Sequence, residues 1–383
     1  MKAEKLINLI PADDLEFLSV SCEVDFQTKK LYGSVIFKLL LFSMLNSNKV
    51  SYRVMEKLLS SASFINFLGF KVASKFNSIR DRISTINATY FEELFNRIFT
   101  IYNSLLKEEK SLIKVDSTYV SIASKLVKWD IQNPKDTQAK KYIKYSVNVK
   151  GSLPCSFQVF SAKKYLSEDL ALSKAILENI HINESIVVFD RGLKSRNKFE
   201  ELSKKNIHFI TKAYSQLFVK VIKTNKLKKH IETETLIIKE DLIVKLRDKQ
   251  QQFTANDYRV IKAVIKDTGE PIAFLTNDFE LSTKEVTILY KQRWEIETFF
   301  KFLKQHLNLK HLVSRNENAI KVILYMTMIV AILIIAYKKL NNIKSFKIAK
   351  LQFEIALDNL MIKEIVILSG GNPNKVSYLW NSS

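Results

Sequence analysis

Two aspartates close short apolar runs in this chain. Leu112-Ile113-Lys114-Val115 leads into Asp116, and Ile186-Val187-Val188-Phe189 leads into Asp190. Asp116 ends the apolar half of a strand that alternates on through STYVSIA, and a carboxylate in the C-terminal part of a buried strand is held by a rigid scaffold and aimed at one place. Two such strands side by side would make their carboxylates converge. Each would then raise the other's pKa unless a divalent cation sat between them. Magnesium suits that setting, because it prefers a few carboxylates plus the phosphate oxygens of a substrate. Taken alone, either aspartate could instead cap the turn after its strand.

A third group lies in YKQRWEIETFFKFLK, residues 290–304. Tyr290, Arg293, Glu297 and Lys304 follow one another at helical spacings of 3, 4 and 7. On one continuous helix they share a sector about 60° wide, with Ile296, Phe299 and Leu303 on the other side. Arg293 and Glu297 could simply form a surface ion pair worth about 0.3 kcal/mol. In the chemical alternative, Glu297 completes a metal-binding set with Asp116 and Asp190. Arg293 and Lys304 then act as phosphate clamps, one bidentate and one a point charge. Tyr290 offers a hydroxyl and a ring to a DNA backbone or end. Two metal ions about 4 Å apart would activate a water or a 3′-OH and stabilise the leaving oxygen. Phosphate-ester cleavage is slow enough unaided to need such help.

The elements that must hold these groups are legible from periodicity. Residues 1–105 show helical spacing, and a helix-turn-helix over 51–84 is one way to arrange them. Asn77-Ser78 offers an N-cap before a short basic helix. From 106 to 215 three strands, a helix, a strand, a helix and a strand follow, with Gly151 and Pro154 marking a turn between the second and third strands. That order predicts an α/β domain with a mixed five-stranded sheet. Residues 216–280 read as a β-rich insertion. Residues 281–340 return to helix and carry the Tyr290–Lys304 stretch, and 341–383 close the chain with helices.

Composition narrows the partners. The 383 residues carry 60 Lys and Arg against 39 Asp and Glu, a formal charge of +21. Such an excess favours a polyanion, nucleic acid first and anionic membrane second. The two cysteines, Cys22 and Cys155, have no zinc-ligand spacing and make no disulfide framework, in keeping with a reducing cytosol. The N-terminal residues show no long apolar stretch of the signal-peptide kind. Val322–Tyr337 is uncharged but shorter than a span of about 20 residues, so a helix buried in a large domain is expected, with no membrane partner.

On these residues the chain resembles the DDE transposases of the insertion-sequence-four family. Their Tyr-x2-Arg-x3-Glu-x6-Lys signature is matched without a gap by Tyr290, Arg293, Glu297 and Lys304. Val115-Asp116-Ser117-Thr118 and Phe189-Asp190-Arg191-Gly192 are similar to the family's two aspartate motifs. The insertion also falls where that family has one. The resemblance implies a ribonuclease H-like catalytic fold between an N-terminal helical DNA-binding domain and C-terminal helices. It implies metal-dependent cut-and-paste transposition: hydrolysis at transposon ends, then 3′-OH strand transfer into target DNA, with a hairpin in some members. Asp116, Asp190 and Glu297 would be catalytic and would hold two Mg²⁺ or Mn²⁺ ions per site. Tyr290, Arg293, Lys304, Trp294 and Arg191 would contact DNA. The partners implied are the terminal inverted repeats, target DNA and a second copy in a synaptic homodimer, in the bacterial cytosol at the nucleoid. A metal-dependent nuclease of the same fold without strand transfer, or an inactive DNA-binding relative, are the alternatives.

Overall fold

The computed structural model describes residues 6–7, 10, 12–46, 50–68, 74–107, 112–122, 131–132, 141–160, 162–182, 184–214, 219–227, 231–247, 252–307, 309, 314 and 316–375. The chain divides into two compact units. One comprises residues 1–107, 120–129 and 301–383; the other comprises 108–119 and 130–300.

The first unit is helical. Among the described residues these helices precede the sheet: α1 (Ala12–Ser21), α2 (Gly33–Asn46), α3 (Tyr52–Leu58), α4 (Ala62–Leu68), α5 (Phe76–Thr85) and α6 (Ala88–Leu106). α6 starts where the Asn87 side chain accepts a hydrogen bond from the Thr89 amide. Its buried residues, Tyr90, Phe91, Leu94, Phe95, Ile98, Phe99 and Tyr102, recur at 3–4 spacing, and it stops at Lys107 in the left-handed conformation (φ 46°). α5 does not start at the expected Asn77-Ser78. Its N-cap is Lys75, because the Phe76 amide donates to the Glu56 carboxylate of α3 at 3.2 Å. A tertiary acceptor thus replaces the local cap.

α11 (Glu317–Leu340) runs through this unit and packs on α2, α5, α6 and α12 (Phe346–Leu368). The Asn316 side chain caps it by accepting from the Ala319 amide. It is long and apolar enough to cross a membrane, and 94% of its most apolar window is buried inside the unit. The Val322–Tyr337 run lies within it.

The second unit is built on one mixed sheet. Its strands are β1 (Leu112–Ile122), β2 (Ile131–Gln132), β3 (Lys141–Lys150), β4 (Leu153–Phe160), β5 (Ile186–Phe189), β6 (His208–Lys212), β7 (Val219–Thr224), β8 (Leu236–Leu246), β9 (Tyr258–Ile265) and β10 (Pro271–Thr276). The order is β2-β3-β1-β5-β6-β10-β9-β8-β7, with β4 also on β3. β3 and β4 form an antiparallel hairpin, turned at Gly151 with φ 57°. Pro154 does not sit in that turn; it lies inside β4, opposite Val149 at a bulge, where a missing amide is tolerated. β1, β5 and β6 are parallel. The crossover from β4 to β5 carries α7 (Glu168–Leu177), and that from β5 to β6 carries α8 (Arg196–Lys204).

The five-stranded ribonuclease H-like arrangement β4-β3-β1-β5-β6 is therefore present, but it is not a closed sheet of five. β10 pairs antiparallel with the free edge of β6, and β9, β8 and β7 continue the same sheet. The insertion extends the core because a parallel edge strand offers unpaired backbone groups that need covering. On one face of the sheet Val188, Ile210, Ile261 and Phe274 pack with Val286 and Leu289 of α9 (Thr283–Lys291). Phe199 of α8 stacks on Phe209 of β6 at 5.2 Å.

Candidate active site

The β1–β5 register answers whether the aspartates converge. Val115 lies opposite Phe189, the last pair of this parallel ladder, so Asp116 and Asp190 follow level with each other, Asp116 within β1, which runs on to Ile122, and Asp190 just past the end of β5. Adjacent strands are about 4.8 Å apart. The Asp116 carboxyl is pushed up to about 7, chiefly by burial, which outweighs the Ser117 amide bond, with Asp190 adding to the rise and Arg293 opposing it. Asp190 is fixed from its own loop. Its Oδ1 accepts the Gly192 amide at 2.7 Å, and its carbonyl accepts the Thr211 hydroxyl at 2.9 Å. Gly192 has no room for a side chain: a Cβ there would sit 2.8 Å from Asp190 Oδ1 and 3.1 Å from Glu168 Cβ.

Glu297 reaches this place through Arg293. The guanidinium donates to Glu297 Oε1 at 2.8 Å and stands 3.9 Å from Asp116 Oδ2. It is 14% exposed, so the bridge is half-sheltered and worth more than a surface pair. The Tyr290 ring packs on Phe274 at 5.1 Å, with the Arg293 guanidinium 6.0 Å from its centroid. Burial raises the Tyr290 hydroxyl pKa, against the pull of Arg293.

These residues do not lie on one continuous helix. α9 ends at Lys291, and α10 (Trp294–His306) begins after a tight junction. There Arg293, Glu295 and Ile296 donate to Tyr290, Gln292 and Arg293, each three residues back. The 60° sector therefore does not survive across Gln292–Arg293. Tyr290 belongs to α9, Arg293 to the junction, and Glu297 and Lys304 to α10. The local 3₁₀ bonds rotate the two halves relative to each other. Lys304 is half-buried and falls in the helical unit. Trp294 is 65% exposed at the start of α10. Arg191 is exposed, and its carbonyl accepts the Tyr214 hydroxyl.

Two charged pairs beside the site went unread in the sequence. Lys114, two residues before Asp116 and 3% exposed, bonds Glu295 Oε2 at 2.6 Å and the Gly151 carbonyl at 2.5 Å. Residues i and i+2 of a strand share a face: Lys114 meets Glu295 in the first turn of α10, and Asp116 stands near Arg293 at the junction before it. The signal available was a lysine at an inward position of an apolar strand, where an unpaired charge is not tolerated. Lys144 of β3 is fully buried and pairs with Glu168 of α7 at 2.8 Å. The Glu168 charge adds to the rise at Asp116.

A hard divalent cation fits the chemistry of the Asp116–Asp190 pair. Both offer carboxylate oxygens, and burial first, with Asp190 adding to it, holds the Asp116 carboxyl up to about 7. Among the described residues no three His, Cys, Asp or Glu side chains gather round one point. Asp116 and Glu297 are joined instead through Arg293.

The family described as transposase DDE domain matches residues 107–333, more than half of the chain. The chain belongs to that family. Its matched region holds all three carboxylates and the Tyr290–Lys304 stretch, and divalent-metal use is general to the family. The chain is 28% identical over 251 residues to a Synechocystis protein named as a transposase for insertion sequence element IS4SA, covering 62% of this chain and 65% of the relative. A Geobacillus stearothermophilus protein named as a transposase for element IS5377 is 26% identical, covering 56% and 53%. A Sinorhizobium fredii protein named as a transposase is 28% identical, covering 41% and 43%. The chain thus spans between two-fifths and two-thirds of the length of these relatives. A solved piggyBac transposase synaptic complex with hairpin DNA is similar over 95% of this chain and 82% of its own, at TM-score 0.46 and 12% identity.

Proposed function

We propose that this chain is a metal-dependent DNA transposase, acting in the bacterial cytosol on the terminal inverted repeats of an insertion sequence. The observation that supports this best is the meeting of Asp116, level with Asp190, and Glu297 around one guanidinium. Asp116, Asp190 and Glu297 would hold two Mg²⁺ or Mn²⁺ ions. Bound there, the metal supplies Lewis-acid activation of an attacking hydroxyl and charge stabilisation on the phosphate. Arg293 holds Glu297 in reach of Asp116 and presents its remaining N–H groups to a phosphate oxygen. Tyr290 turns a hydroxyl toward the same place from α9. Trp294, Arg191 and Lys304 extend the contact along the DNA, Trp294 with an exposed ring able to stack on a base. Hydrolysis at each end frees a 3′-OH, and that hydroxyl then attacks a phosphodiester of target DNA. The helices of residues 1–105 take the role of DNA-binding domain, and two protomers bring the ends together.

The test uses duplexes carrying the DNA that borders the gene. Asp116→Asn, Asp190→Asn and Glu297→Gln should each lose metal-dependent cleavage while retaining DNA binding that weakens steeply with salt. Any of the three that still cuts at the wild-type rate removes that residue from the site. Joined products with a second duplex separate a transposase from a nuclease of the same fold.

A further inference from the structure

α7 begins with two acids that have different neighbours. Asp169 turns to the loop after Asp190: its Oδ1 accepts the Ser195 amide at 2.7 Å and the Lys194 amide as well. That fastens the first turn of α7 to the segment between Asp190 and α8. Glu168 turns to the sheet instead, where its Oε1 meets the Lys144 ammonium of β3 at 2.8 Å. Lys144 is fully buried, whereas the Glu168 side chain stays 35% exposed. Among the described residues no other group bonds this carboxylate. Gly192 brings it close to the aspartates. A Cβ there would lie 2.8 Å from Asp190 Oδ1 and 3.1 Å from Glu168 Cβ, so the two acids face each other across the space of one absent methyl group. The Glu168 charge is felt at Asp116 too, where it adds to the larger effects of burial and Asp190.

Stability does not explain this arrangement. An apolar side chain in place of a wholly buried ammonium often holds a fold as well or better. The dipole of α7 favours an acid in its first turn, but Asp169 already supplies one. What the Lys144–Glu168 pair adds is a carboxylate held rigidly at the edge of the aspartate site. We propose that Glu168 is a positioning residue for the divalent ion: it accepts a hydrogen bond from a water that the ion carries, and so steadies the ion at Asp116 and Asp190 without binding it directly. Magnesium binds through one or two carboxylates and gives up its waters reluctantly, so those waters need acceptors. Carboxylates one layer out supply them, and losing one typically costs about 10–100-fold in metal affinity. Among the described residues no three acids gather round one point, which favours the outer role over direct ligation. The role rests on the metal-dependent reading of the function.

The test is Mn²⁺ binding to the full chain without DNA, followed by calorimetry and by the electron spin resonance of the free ion. Lys144→Met removes the ammonium that Glu168→Ala would strand, so the main comparison is made in that background. There Glu168→Ala should raise the Mn²⁺ Kd at least about tenfold, with the melting temperature in chelator nearly unchanged. A Glu168 that only neutralises Lys144 predicts no change in affinity in the Lys144→Met background. In the otherwise native chain Glu168→Gln keeps an oxygen for Lys144 and should also weaken Mn²⁺ binding, though less. Water-proton relaxation should report the same number of waters on bound Mn²⁺ with and without Glu168; one more water after Glu168→Ala would mark a direct ligand and overturn the outer role. Unchanged affinity in either comparison overturns the proposal, and if Asp116→Asn and Asp190→Asn weaken Mn²⁺ in the same assay the metal reading stands without it. A wild-type chain that binds Mn²⁺ no more tightly than those two variants overturns both.

Discussion

The Lys114–Glu295 pair joins the strand of Asp116 to the helix of Glu297, and its two halves are unequal. Lys114 is 3% exposed and Glu295 61%. Removing one partner of a buried pair costs about 3–5 kcal/mol, because the other charge is stranded. Glu295→Ala strands the buried ammonium, leaving it the hydrogen bond to the Gly151 carbonyl. With the outer end of the pair already wet, the expected cost is about 2–3 kcal/mol. Lys114→Met releases a carboxylate that is already largely in water and forfeits mainly the hydrogen bond to Gly151. Its cost is about 1 kcal/mol. Adding Glu295→Ala to Lys114→Met should then cost little more, since no ammonium remains to be stranded. A unit of this size moves its melting temperature about 2–4 °C per kcal/mol. Glu295→Ala should therefore lower it by about 4–12 °C, and Lys114→Met and the double variant by about 2–4 °C. Thermal melts of the metal-free protein measure this, and a double-mutant cycle isolates the pair term. Equal losses in the two single variants, or a double variant showing their sum, would refute the asymmetry. Because Arg293 and Glu297 flank Glu295, Glu295→Ala should also slow cleavage well below its melting temperature.

Stability should carry the signature of Asp116. Its carboxyl titrates near 7 when folded and near 3.8 when unfolded, so the folded state keeps a proton that the unfolded chain has lost between these values. The group's contribution is complete below about pH 4 and is lost as pH rises through about 7, by at most roughly 4 kcal/mol. Urea titrations in chelator should show wild type weakening from pH 5 to 8 and Asp116→Asn nearly flat over the same range; parallel pH profiles would contradict the burial of this carboxyl. Gly192→Ala should cost about 1–3 kcal/mol and depress cleavage, because its Cβ would collide with Asp190 Oδ1 and displace the amide that orients it. An alanine variant with wild-type melting and cleavage would show that the loop yields freely.

Periodicity carried the elements, and failed wherever a distant residue decided the geometry. The apolar runs that stop at Asp116 and Asp190 were legible, although β1 itself runs on past Asp116 to Ile122. Their convergence was not, since it depends on the register of two strands 74 residues apart, Val115 opposite Phe189. The bend between Tyr290 and Trp294 left no trace in residue types. Neither glycine nor proline marks it, and the three backbone bonds that make it involve residues compatible with a straight helix. α5 misled for the opposite reason. Good capping residues were present at Asn77-Ser78, but Glu56 satisfied an amide one residue earlier than that cap. α12 was read correctly as helix, yet apolar residues all round it conceal which face packs. Only the burial of Phe353 and Leu357 assigns the inner side. Lys114 shows what the sequence held without being asked. A lysine of the same strand parity as Asp116, inside an apolar run, requires a carboxylate facing that strand. The Glu295-Ile296-Glu297 step offered two acids close together. One neutralises Lys114, and the other is thereby held within reach of Asp116 through Arg293. The two acids of that step therefore have different partners: Glu295 seats the helix on the strand through Lys114, and Glu297 pairs with the Arg293 guanidinium that also stands 3.9 Å from Asp116.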